Sequence, residues 1–147
     1  MNSKLRFEAF GDDSGVELHV FFENADFKGV SAAWFSRDQI LAFVKDVSRF
    51  PLSLESPPLL VGGYWDDLGR HIDQEHVRLF VTPFGAQGGV ELGIILAVPH
   101  EDSRRGLKCS LAVTVKSEYA QLSSLGAGLN NFVLNANGVF ELVFPPE

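Results

Sequence analysis

The densest group of ionisable side chains is Asp66-Asp67-Leu68-Gly69-Arg70-His71-Ile72-Asp73-Gln74-Glu75-His76, which gathers several carboxylates and two imidazoles. These are side-chain types that bind divalent metals. Their spacing matches no ligand motif, and Arg70 adds a charge that repels a cation, so the stretch reads as a solvated polar loop between strands. Immediately before it stand Tyr64 and Trp65. Aromatic side chains rimmed by acids suit a protein-binding patch, since aromatic anchors supply most interface energy and charge steers the encounter. The residues expected to carry partner binding are therefore Tyr64, Trp65, Asp66, Asp67, Asp73 and Glu75.

Other reactive groups point away from catalysis. There is no Gly-x-Ser-x-Gly elbow, and the single cysteine, Cys109, falls on the apolar side of an alternating run, where a thiol behaves as an inert hydrophobe. The glycines at Gly62-Gly63, Gly88-Gly89 and Gly126-Ala127-Gly128 lack the strand-loop-helix setting of a phosphate cradle and read as turns and close contacts. Asp12 beside Asp13 has no apolar pocket to split the two pKa values. His19 and His100 read as surface residues, and Trp34, alternating with Val30 and Ala32, reads as core. No catalytic, metal-binding or cofactor-binding residue is assigned, no cofactor is expected, and the chain is not expected to be an enzyme.

The elements that must position these groups are marked by periodicity. Leu107, Cys109, Leu111, Val113 and Val115 alternate with polar residues, as do Val16, Leu18, Val20 and Phe22, and Val77, Leu79 and Val81; Val90, Leu92, Ile94, Leu96 and Val98 form a further apolar row. Strands with one wet face belong to antiparallel sheets. Polar, glycine-containing connectors at 11–15, 84–89 and 101–106 read as hairpin loops. Ile40, Phe43, Val44 and Val47 have helical spacing, and Ser36-Arg37-Asp38-Gln39 reads as a capping box that starts a helix over 37–49, which Pro51 stops. The segment 51–58, with three prolines, returns the chain to a strand over 59–65. A second helix, with Ser117 as its cap and Tyr119, Leu122, Leu125 and Leu129 inward, is expected to be short or irregular because of Gly126 and Gly128. A last strand covers 138–144. The order β-β-β-α-β-β-β-β-α-β predicts a single α+β domain, a mostly antiparallel sheet with two helices packed on one face.

Composition limits the partners. At 147 residues the chain fits one domain with a self-sufficient core. A net charge of −7 argues against nucleic acid, whose ligands carry a basic stripe, and favours basic partners. No apolar run approaches the roughly 20 residues of a membrane span, and the start has no signal pattern. A soluble protein of the reducing cytoplasm is expected, with no membrane partner.

Taken in succession, Ala33-Trp34-Phe35, a capped helix over 37–49, the strand Leu60-Val61-Gly62-Gly63-Tyr64-Trp65, two long alternating hairpin strands and a late helix resemble the WapI-like immunity proteins of bacterial contact-dependent and polymorphic toxin systems. That resemblance implies a non-enzymatic inhibitor that blocks a cognate toxin domain, here through an acidic and aromatic surface. It supplies no catalytic residue to carry over. The alternatives are a structural or homodimeric assembly module and, behind it, a small-ligand-binding domain or enzyme.

Overall fold

The period-two rows of the sequence become strands over most of their described length. The computed structural model describes residues 2–84, 89–100 and 108–146. These run β1 (Ser3–Asp12), β2 (Gly15–Glu23), β3 (Lys28–Phe35), α1 (Arg37–Val47), β4 (Leu59–Trp65), β5 (Ile72–Phe84), β6 (Gly89–Ala97), β7 (Ser110–Glu118), α2 (Tyr119–Asn135) and β8 (Asn137–Phe144). The α+β class and the element order are those the sequence predicts. The strands, however, divide into two four-stranded antiparallel sheets, β3-β2-β1-β8 and β4-β5-β6-β7, where one sheet was expected. The reason is area: eight strands carry more inward apolar surface than two helices can cover, so each sheet becomes part of the other's lid. The residues at 85–88 and all of 101–106, read as loop tips, and Leu107, read as the start of an apolar row, lie outside the described residues.

One core joins the two sheets and the helices. Leu5, Phe7, Val16, Leu18, Val20, Phe22, Phe35 and Phe144 of the first sheet are buried in one cluster with Leu60, Val77, Leu79, Val81, Val90, Leu92, Ile94 and Leu96 of the second. The edge strand β3 touches β4, β5, β6 and β7, so it crosses the second sheet rather than running along it. Ser31 Oγ donates to the Ala97 carbonyl at 2.6 Å across this junction. Gly62 is glycine for the same reason, since a Cβ there would lie 2.7 Å from the Phe35 ring.

The helices close the rest of the core. Ser36 Oγ accepts from the Gln39 amide at 3.1 Å while Gln39 Oε1 accepts from the Ser36 amide at 2.8 Å, the expected reciprocal cap, and Ile40, Phe43 and Val47 are buried beneath it. The second helix departs from expectation. It is a continuous 17-residue α-helix, capped at Glu118 rather than Ser117, with Leu122, Leu125, Leu129 and Phe132 buried. Its glycines mark contacts, not breaks: a Cβ on Gly126 would lie 3.1 Å from Ser48 Oγ next to α1, and one on Gly128 would meet the Phe140 ring. Close packing there compensates the roughly 1 kcal/mol helix penalty of each glycine.

Two side-chain placements are also reversed. Trp34 is not core but 49% exposed, because β3 pairs Phe35 with Val16 and Ala33 with Leu18, putting the odd-numbered residues inward. Cys109 is exposed, because the apolar row of β7 loses its cover toward its start, from buried Val115 to half-buried Val113 and Leu111.

Candidate functional site

The predicted patch sits at the far end of the β4–β5 hairpin, and the ladder shows how it comes to be presented. β4 and β5 pair regularly from Leu59↔Phe80 to Gly62↔Val77, then shift to Gly63↔Glu75 and Tyr64↔Gln74, and shift again to Trp65↔Ile72. Two residues of β5, His76 and Asp73, therefore have no partner opposite. Such bulges bend a strand and re-aim its side chains. Gly63 sits at the first of them, where a Cβ would run into the Gln74 carbonyl, so the turn of the ladder requires glycine.

Beyond the bulges the hairpin lifts its aromatics out of the core. Tyr64 is 53% and Trp65 40% exposed. The Tyr64 ring stands edge-on to His76 at 4.5 Å between centroids, and His76 is buried. His76 Nε2 lies 3.0 Å from Gln74 Oε1, while Gln74 Nε2 donates to the His100 carbonyl at 2.6 Å and its Oε1 accepts from the His100 amide at 3.2 Å. Burial, and next the charge of His100, hold the His76 imidazole below its ordinary 6.5. A neutral ring thus supports the tyrosine and locks the hairpin to the segment after β6.

The tip is built around one carboxylate. Asp66 Oδ1 accepts from the Arg70 amide at 2.7 Å, Oδ2 lies 3.1 Å from His71 Nδ1, and the Asp66 backbone bonds both His71 and Gly69. Gly69 takes the left-handed conformation the turn needs, with φ of 67°. His71 Nε2 also lies 3.7 Å from Asp73 Oδ1. Glu75 is paired with Arg78 Nη1 at 2.8 Å.

The six predicted residues consequently divide into two roles. Tyr64, Trp65, Asp67 and Asp73 present themselves to solvent, whereas Asp66 is mostly consumed in shaping the turn and Glu75 is partly buried in an ion pair. The expectation of a loop over 66–76 is corrected, since Asp73, Gln74, Glu75 and His76 belong to β5. Among the described residues no three His, Cys, Asp or Glu side chains converge as a metal would require. No helix among them is long and apolar enough to cross a membrane.

A second exposed group went unread in the sequence. Phe10 and Trp34, each 49% exposed, and Val30, 50% exposed, lie on the outer face of the first sheet. Register held the signal: once Val16, Leu18, Val20 and Phe22 are taken as inward, their partners Phe35, Ala33, Ser31 and Gly29 must be inward too. No family model, curated protein or solved structure matches the chain.

Proposed function

We propose that this protein is a non-enzymatic binding domain that acts as an immunity-type inhibitor, in the manner of the WapI-like proteins it resembles, by covering a basic surface of a cognate toxin domain. The observation that carries this reading is the outward placement of Tyr64 and Trp65 on a braced hairpin, with Asp67 and Asp73 beside them. Aromatic side chains on a pre-formed support lose little entropy on binding and make good anchors. The net charge of −7 would speed encounter with a basic partner and compete for a channel that takes a phosphate backbone.

The experiment is co-expression with the polypeptide encoded by the adjacent gene, followed by purification at low salt. A stable complex that weakens as salt is raised supports the reading, and separate elution at low salt refutes it. Homodimeric assembly is the second reading, favoured by the apolar residues Phe10, Val30, Trp34 and Val139 exposed on the first sheet. A mass in light scattering that stays monomeric as concentration rises removes it.

A further inference from the structure

Three neighbouring strands of the first sheet set Trp34, Glu17 and Phe10 in one row. Trp34 pairs with Glu17 across β3 and β2, and Glu17 pairs with Phe10 across β2 and β1. Directly opposed residues share a face, and the burial of Phe35, Val16 and Ala9 beside them makes this the outer one. Strands lie about 4.8 Å apart, so the two aromatic residues stand roughly 10 Å apart across the carboxylate. The Phe10 ring leans toward His19 and the Trp34 ring toward Gly15, on either side of Glu17, and each ring is about half exposed.

The row is held in place. Glu17 Oε1 lies 2.6 Å from His19 Nε2, and the Phe10 ring rests edge-on against the same imidazole at 4.9 Å between centroids. One histidine therefore orients both the carboxylate and one aromatic wall. The charges on this face also favour a cation at the row. Asp12 and Asp13 lie at the β1–β2 turn beyond the row, whereas toward the other end of these strands Arg6 is paired with Glu8 and Lys28 with Glu23, so the cations there are already matched by carboxylates. The Arg6 guanidinium is already spread over Phe21 at 4.2 Å, which shows on the same face the geometry that a guanidinium takes on an exposed ring.

We propose that the Trp34–Glu17–Phe10 row is the seat of an arginine side chain from a protein partner, the guanidinium stacked against the rings and its charge met by Glu17. Arginine fits better than lysine because its cation is planar, weakly hydrated and stacks on aromatic faces. A partner of opposite charge fits better than a second copy, since two chains of −7 repel one another. The site is on a different sheet from Tyr64 and Trp65 and does not depend on the role given to them.

The test uses Trp65→Phe, which leaves Trp34 as the sole tryptophan of the two in the chain. The probe is a blocked glycine-arginine-glycine peptide, titrated beside its lysine and citrulline counterparts, with Trp34 emission and amide shifts as readouts. The expected result is a saturable change at Trp34, with shifts centred on Phe10, Glu17 and Trp34. Arginine should bind about tenfold tighter than neutral citrulline, an advantage that Glu17→Gln removes. Phe10→Ala, on an exposed ring, should weaken the arginine peptide without weakening the citrulline one. Equal binding of arginine and citrulline, an unchanged preference in Glu17→Gln, shifts spread evenly over the acidic residues of the molecule, or a dimer that shields Trp34 without peptide would each overturn the proposal.

Discussion

The two exposed aromatic groups reach the surface by opposite routes. Phe10 and Trp34 are outward because the first sheet keeps an unbroken alternation, so their exposure is set by a register that runs the full length of β1, β2 and β3. Tyr64 is outward although Leu60 and Gly62, of the same parity in β4, are buried, because the β4–β5 ladder shifts at His76 and at Asp73, while Trp65 beside it keeps the exposed parity of Leu59. The first surface is as robust as the core beneath it, whereas the second depends on a few local groups: Gly63, Asp66, Gln74 and His76. A flat sheet face suits side-chain capture, and a projecting hairpin suits insertion into a cleft.

Substitutions can separate the two. The largest effect is expected from Phe7→Ala, which removes a fully buried ring stacked on Phe140 at 4.9 Å. It should cost about 4 kcal/mol in urea unfolding and loosen both surfaces together. Gly63→Ala forces a Cβ into the Gln74 carbonyl and should cost about 2 to 3 kcal/mol, with amide shifts concentrated in β4 and β5 while β1 to β3 stay unmoved. Shifts spreading equally through the first sheet would contradict the local account. Asp66→Ala should cost about 1 kcal/mol and raise hydrogen exchange at the amides of Gly69 and Arg70, leaving the Trp34 face unchanged.

Acid should act on the hairpin through His76. The folded protein binds a proton on His76 less readily than the unfolded chain does, through burial and then His100, so below pH 6.5 the unfolded state takes up a proton that the folded state resists. The stabilisation is complete above 6.5 and is lost as the pH falls toward and through the lowered folded value. His76→Gln should flatten that part of the stability profile, and an unchanged slope would remove His76 from the hairpin's support. The smallest effects are expected from Trp34→Ala and Trp65→Ala, each within about 0.5 kcal/mol of the parent in urea, because neither ring is part of the core cluster.

Much of this was legible in the chain. The glycine-containing run ending in Tyr64 and Trp65 gave the bounds of β4 as found, and the Ser36 box marked the start of α1. What escaped depended on contacts distant in sequence. Gly126 and Gly128 look like helix breakers until Ser48 and Phe140 are seen against them. Trp34 sorts to the wrong side when β3 is read alone, because a one-residue change of parity moves every side chain to the other face. The bulges at His76 and Asp73 likewise have no signature in β5 itself, only in its pairing with β4. The separation into two sheets follows from the total inward area of eight strands, a property of the assembled chain rather than of any segment.

The most direct measurement of the central claim is size-exclusion chromatography with light scattering on the wild-type protein and on Tyr64→Ala/Trp65→Ala, each co-expressed with the polypeptide encoded by the adjacent gene. The account predicts a salt-sensitive heteromeric complex for the wild type and separate elution for a double variant that is still folded. A complex that survives the double substitution, or none for the wild type at low salt, would contradict it.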